Sequence, residues 1–369
     1  MRVTEGSVEI DIPGTSQEEI EEDVFYNPNQ VLNRDLTIAV LRAYRDVNSN
    51  ASTYLDAMAA SGIRGIRAAA EGWDATLCDT NPEAVSLCKQ NLAHNDLEGT
   101  VVHKDANAHI HQHSYDVIDI DPFGSPIPFA DAALSNAHDL VCITATDTAP
   151  LCGAHFNAGI RRYDSVPRNT EFHPEVGLRT LISTLARTAA RYDRAIQPLL
   201  SHSTRHYHRV YLAFEDGAQV ADSALENLGY LLYCPECLYR ETQYTRFPSF
   251  SDECPNCESE QTVIGGPLWL AETTDSEFTT RVQQRIDESL EDPDNVSTLI
   301  ESVDDEITTP THYDQHKLCQ RWSRPASAMD DFLDAIRDAG YQASRAHYSG
   351  TAFKTPATVT EIRKATKSL

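Results

Sequence analysis

The chain reads as an α/β protein on an open parallel sheet, followed by a smaller α+β carboxyl-terminal domain with a four-cysteine zinc site. Three observations predict this. From Tyr54 to Thr144, short apolar runs alternate with helical patterns through five successive strands. A small-residue loop follows the first run, and an acid follows each of the next three: Asp79, Asp105 and Asp121. After Gly217 the character changes. Cys234-Pro235-Glu236-Cys237 and Cys254-Pro255-Asn256-Cys257 then stand 16 residues apart. The expected domains are residues 1–225 and 226–369.

At 369 residues the chain is long enough for two cores. It has no apolar run of membrane-spanning length and no basic-then-apolar leader. The sequence therefore predicts a cytoplasmic protein with no membrane partner, and no obligate protein partner is evident in it. Nine cysteines, four of them in the two CPxC pairs, fit a reducing compartment with one metal site better than a disulfide framework. The formal charge of −26 taken alone argues against nucleic acid. The acids are dispersed, however, and only six lysines stand against 24 arginines. This is the pattern of a halophile, in which high salt screens the repulsion, and a local arginine-lined groove remains compatible with RNA.

Taken in order, Ser7–Ile12 alternates as an edge strand, and the acidic run 18–23 reads as a solvated turn of helix. Val31 to Leu41 supplies the apolar face of a helix, with Arg34 at its start. By spacing alone Arg34 is one half of a surface ion pair. Tyr54–Gly65 is a strand followed by a small-residue loop that lets a nucleotide-like cofactor approach the backbone, although it is not a clean GxGxxG. Asp79, at the end of the second strand, is placed either to accept the hydroxyls of a ribose or to cap the helix that begins at Asn81-Pro82. Asp105, after the third strand, is placed to bond an exocyclic amine, with the backbone of Ala106 serving ring nitrogens.

The fourth strand, Tyr115 to Ile120, ends in Asp121-Pro122-Phe123-Gly124-Ser125. A carboxylate, a fixed backbone and an aromatic at a strand's carboxyl end suit a flat base with an exocyclic amine. The competing reading is a common strand-end turn with Phe123 tucked into the core. Further on, Leu140–Thr144 is a fifth strand and Glu175 to Ile196 a helix with a polar arginine stripe. His206–Phe214 reads as an antiparallel edge strand. Tetrahedral zinc needs four soft ligands on two tight turns, which Cys234, Cys237, Cys254 and Cys257 supply. A closed site of this kind is structural. Leu290–Thr309 reads as acidic loop, Ala328–Ala339 as helix and Tyr341–Tyr348 as strand, before a basic tail with Lys354, Arg363, Lys364 and Lys367.

Together, FYNPNQVLNRDLT, DAMAASGIRGIRAA, DTNP, DANAH, DIDPFGSP, TDTAPLCG and the cysteine knuckles resemble the tRNA guanine-26 N2-dimethyltransferases, from Glu5 to about Lys354. The resemblance implies a Rossmann-like methyltransferase domain that uses S-adenosylmethionine, with a carboxyl-terminal domain that helps grip tRNA. It implies cofactor contacts at Arg34 and Arg64, ribose binding at Asp79, adenine binding at Asp105 and Ala106, and zinc ligation by the four cysteines. Asp121 matches the catalytic acid, and Phe123 is the candidate to hold the unstacked guanine. Two rivals remain: an amino-methyltransferase acting on adenine or ribosomal guanine, and a zinc-bearing RNA-binding protein whose methyltransferase fold is vestigial.

Overall fold

A computed structural model describes residues 1–12 and 24–369, so the acidic run 18–23 lies outside the described residues. The largest sheet has seven strands. In spatial order they are Thr100–His103, Asp74–Asp79, Thr53–Asp56, Tyr115–Ile120, Ala137–Ala145, Tyr207–Asp216 and Arg194–Thr204. The first five run parallel. Chain order reverses between Thr53–Asp56 and Tyr115–Ile120, which is where open α/β sheets place ligands.

Local chemistry fixes these elements. Val117, Ile118 and Ile120 are fully buried, so the β-branched run makes an interior strand. The Pro82–His94 helix starts on Asn81, whose side chain accepts from the Glu83 N–H, with Pro82 pre-set for the first turn. Asn81 therefore does the capping, which leaves Asp79 for other work. The Ile63–Ala70 helix lies close on Asp74–Asp79, because a Cβ at Gly65 would stand 2.6 Å from Leu77 Cγ.

The described chain forms two compact units, both discontinuous. One comprises residues 1–144, 209–214 and 275–301. The other comprises 145–208, 215–274 and 302–369, with a core that includes Phe172, Leu231, Tyr233, Leu268, Phe332 and Phe353.

Several expectations are corrected. Tyr207–Asp216 has a neighbour on each side, and the sheet's edge is Arg194–Thr204. The helix ends at Ala190, since Asp193 takes positive φ and turns the chain, and Ile196 falls in that edge strand. Arg179 is no part of a solvated stripe: it is buried and donates to Glu175 and to the carbonyls of Trp269 and Ala271. The acidic stretch after Leu290 contains the helix Pro293–Asp304, because Val296, Ile300 and Val303 bury one face beneath its carboxylates. Tyr341–Tyr348 contributes only Ser344–Arg345 as strand, paired with the three-residue strand Ala352–Lys354.

The second unit contains a buried ion network. Glu175 pairs with Arg179, with His312 at 3.0 Å and with Lys354 at 2.9 Å, and Lys354 reaches Glu306 at 2.9 Å. Burial alone would raise the Glu306 carboxyl, but His347 and Lys354 outweigh it and hold the pKa at about 2, against an ordinary 4.5. Glu175 is likewise held low, chiefly by Lys354 and Arg179 against its burial. A depressed acid stabilises the fold above its unfolded pKa and loses that contribution as pH falls through the folded one. The network is therefore whole above about pH 5 and lost progressively toward pH 2. In Glu306→Gln, the acid limb of a Tm-against-pH curve should be flatter than in wild type. An identical limb would remove Glu306 from the acid response.

Candidate active site and metal centre

The DPF loop stands on a buried charge network. Asp121 Oδ2 accepts from Arg64 Nη2 at 2.5 Å. Arg64 also donates to Thr37 Oγ1 at 3.0 Å and lies 3.7 Å from Asp119. Asp119, fully buried, takes both arms of Arg209, at 2.9 and 2.6 Å, and the Tyr54 hydroxyl at 3.0 Å. Arg209 donates in turn to Thr144 and Thr37. Two guanidiniums thus face two carboxylates, and the charges balance inside the sheet's switch point.

Of the four, Asp121 alone reaches solvent appreciably, with its side chain 27% exposed. Burial would raise its pKa, yet Arg64 and Arg209 together bring it below the ordinary carboxylate value. Asp121 is therefore ionised and a hydrogen-bond acceptor near neutrality, and a weak base. Asp56, at the neighbouring strand end, goes the other way. Burial pushes its carboxyl up to about 7 despite Arg64 and a bond from the Gly65 N–H at 2.9 Å.

Phe123 is 74% exposed, so it is not tucked into the core. Its ring meets that of Phe25, itself 47% exposed, at an interplanar angle of 75° with centroids 4.4 Å apart. Asp79 is oriented by two backbone donors at 2.8 Å, Ala60 N–H on Oδ2 and Asn81 N–H on Oδ1. Ala60 and Gly62 take positive φ in the loop that bends around this carboxylate. Asp105 is exposed and caps the helix Ala106–Ile110 through the Ala108 N–H, while Ala106 is buried. Partly exposed carboxylates and oriented backbone amides at neighbouring strand ends are the donor set that a nucleoside's hydroxyls and amine require, so these residues fit such a cofactor.

Arg34 is buried, not half of a surface pair. It grips Glu5 through two bonds of 2.7 and 2.6 Å and the Asn27 carbonyl through two more. Glu5 also takes Arg67 at 2.8 Å. The structure thus joins Arg64 directly to Asp121, sets Asp79 and Asp105 at adjacent strand ends, and gives Arg34 a separate cluster.

Sequence reading missed Asp119, Arg209 and Phe25. A signal existed for Asp119: an acid inside a buried apolar run needs a partner. Arg209→Met should cost about 3–5 kcal/mol in denaturant unfolding, because buried Asp119 loses both short guanidinium bonds and keeps only the Tyr54 hydroxyl and Arg64 at 3.7 Å, and adding Asp119→Asn should recover most of that loss. A double variant no better than the single one would mean that the pair is not a charge-compensated unit.

In the second unit, the four cysteine sulfurs lie within 4.8 Å of one another. Cys234–Cys257 is 3.7 Å and Cys237–Cys254 is 3.5 Å. A tetrahedral ion with Zn–S bonds of about 2.3 Å sets sulfurs roughly 3.8 Å apart, so the set fits zinc. The knuckles repeat one backbone design. Each first cysteine's carbonyl accepts from the N–H four residues on, at Leu238 and Glu258, and both of those residues take positive φ.

The family model described as N2,N2-dimethylguanosine tRNA methyltransferase matches residues 6–367. Over 366 residues the chain is 54% identical to the tRNA (guanine(26)-N(2))-dimethyltransferase of Haloarcula marismortui, covering 99% of this chain and 100% of that one. Its counterpart in Halobacterium salinarum is 48% identical over 369 residues, covering 99% and 100%. The solved structure of Trm1 from Pyrococcus horikoshii with S-adenosyl-L-methionine superposes with a TM-score of 0.88 at 34% identity, covering 99% of both chains.

Proposed function

The chain belongs to the N2,N2-dimethylguanosine tRNA methyltransferase family, and from that premise we propose how its own residues carry the reaction. It is a tRNA (guanine-26, N2)-dimethyltransferase that uses S-adenosylmethionine. When bound, that cofactor supplies an electrophilic methyl group.

Residues 1–225 carry the methyl-transfer chemistry, and 226–369, apart from 275–301, which belong to the first compact unit, carry the zinc-bearing module that helps hold tRNA. Asp79 accepts the ribose hydroxyls, while the Asp105 carboxylate and the Ala106 backbone serve the adenine. Arg64 and Arg34 brace the cofactor's side of the site. Arg64 does so while bonded to Asp121, and Arg34 by fixing the Asn27 turn through its carbonyl. Cys234, Cys237, Cys254 and Cys257 hold a structural zinc.

Guanine 26 must leave its stack to be methylated on N2, and Phe123, braced by its T-shaped contact with Phe25, offers a ring for it to lie on. The N2 lone pair is delocalised into the purine. A hydrogen bond from the amine to ionised Asp121 orients it, favours a pyramidal nitrogen and stabilises the positive charge that develops there. Because Arg64 holds Asp121 below the ordinary carboxylate range, its role is orientation and charge stabilisation, and the departing proton goes on to water. Repeating the step on the monomethylated amine gives N2,N2-dimethylguanosine.

The observation that carries this reading is Asp121, ionised at the switch point and followed two residues later by an exposed aromatic. The test is methylation of unmodified tRNA in molar KCl with labelled cofactor, followed by nucleoside mass spectrometry. N2,N2-dimethylguanosine should form and should vanish when base 26 is changed. Label in adenosine or in ribosomal RNA would move the protein to another amino-methyltransferase class. No cofactor-induced rise in Tm would indicate a vestigial fold. Among the described residues no helix is long and apolar enough to cross a membrane. A cytoplasmic enzyme in a salt-rich cell fits its substrate and its acidic composition.

A further inference from the structure

Charge is segregated along this chain. Residues 1–314 hold 51 Asp and Glu against 21 Lys and Arg, whereas residues 315–369 hold five against nine. Four of the six lysines lie in that last segment. Lys354 is buried against Glu175 and Glu306, and the fold brings the other three toward one place. Arg324 donates to both the carbonyl and the hydroxyl of Thr366, at 2.5 and 2.6 Å, tying the end of the helix Gln315–Arg321 to the end of the helix Val359–Ala365. Lys317 and Arg321 stand one turn apart on the first helix, and Arg363, Lys364 and Lys367 stand at the end of the second, all exposed. Arg321 also reaches the Pro235 carbonyl in the first cysteine knuckle, at 3.4 Å.

These cations lack the neutralising partners that others nearby have. Arg337 pairs with Asp334 and Arg345 with Asp330. No carboxylate lies within ion-pair reach of Lys317, Arg321, Arg363, Lys364 or Lys367 among the described residues. Glu361, the lone acid after Asp338, is spent at the opposite end of its helix, where Thr358 donates to it in a capping box. The ordinary reason for basic residues at a helix end is the macrodipole. It accounts for one or two cations per helix. It does not account for 55 residues of reversed charge in a chain whose other surfaces are acidic.

We propose that this face, formed by Lys317, Arg321, Arg363, Lys364 and Lys367, binds the sugar-phosphate backbone of the tRNA substrate. Clustered cations that face outward and release counterions are what a polyanion requires. In strong salt only a dense cluster keeps a useful attraction. The proposal rests on the tRNA reading above and adds the residues that touch phosphate.

The test uses the full-length, zinc-loaded protein and unmodified tRNA, with Kd measured by filter binding over a range of KCl. In the triple variant Arg363→Gln, Lys364→Gln, Lys367→Gln, Kd should rise roughly tenfold or more at the lowest salt that keeps the protein folded. The slope of log Kd against log [KCl] should fall by about 2 to 3, near 0.7–0.9 per lost phosphate contact. Lys317→Gln with Arg321→Gln should act in the same direction. Should Arg321→Gln disturb the cysteine knuckle, the triple variant alone still decides. Arg345→Gln, whose charge is already neutralised, should leave the slope as in wild type. A triple variant with wild-type Kd and slope overturns the proposal, as does a loss of methylation with Kd intact. If wild-type protein neither binds nor methylates tRNA, the underlying reading fails instead, and the two failures are distinguishable.

Discussion

Asp121→Asn should lower methyl transfer by about 10²–10³-fold while the rise in Tm caused by S-adenosylmethionine persists. The substitution keeps the side chain's size but removes the full negative charge that an amine nitrogen needs opposite it as it becomes cationic. The amide also presents an N–H on one side, so it can accept the guanine amine only in one of its two orientations. Arg64 keeps a second carboxylate 3.7 Å away in Asp119, so the buried guanidinium is not stranded and the fold should hold. Asp121→Glu is informative beside it. Charge is restored but the carboxylate advances by a methylene, and a gain over Asn that still falls far short of wild type would show that position matters as much as charge. Near-wild-type turnover in Asp121→Asn would remove Asp121 from the chemistry, whatever its place at the switch point. A lost thermal shift would reassign it to cofactor binding.

The sheet was largely legible because its signals are local. Val117, Ile118 and Ile120 declare a buried strand, and Asn81-Pro82 declares a helix start, each within a few residues of its own partners. What failed to show was long-range. The partner of Asp119 is Arg209, 90 residues away, and neither position carries a mark of the other. Arg34 read as a surface ion because Glu5, which buries with it, sits 29 residues upstream in a hairpin strand. The helix Pro293–Asp304 was hidden by its own acids. Its apolar face at Val296, Ile300 and Val303 is regular, but the surface chemistry of an acid-rich chain masks the contrast on which periodicity depends. The same masking bears on function. A net charge of −26 averages away the basic segment after Asp314; its tail is legible in the sequence, but its link to Lys317 and Arg321 appears only when the two helix ends are seen tied together.

Removal of zinc should unfold the knuckle region first and lower Tm, and Cys254→Ser should do so without a chelator. Structural zinc contributes an apparent 10–16 kcal/mol in isolated finger peptides, where nothing else holds the fold. Here the metal shares the task. Cys254 and Cys234 are buried, and Tyr233 and Leu238, which flank the first pair, belong to the same core as Phe172, Leu268 and Phe353. Loss of the ion lets the sulfurs take up protons and removes the bonds that hold the two knuckles together, so the knuckles separate and the ends of Leu228–Tyr233 and Val263–Trp269 lose their closure. The expected signature is early proteolytic cleavage between Cys234 and Cys257, with the thermal shift from S-adenosylmethionine retained. Unchanged melting and protease resistance in protein proven metal-free would mean that the surrounding core suffices, and the four cysteines would then need another explanation. Their knuckles carry the Pro235 carbonyl that Arg321 reaches. If the basic face grips tRNA, zinc removal should therefore also weaken tRNA binding while cofactor affinity is kept.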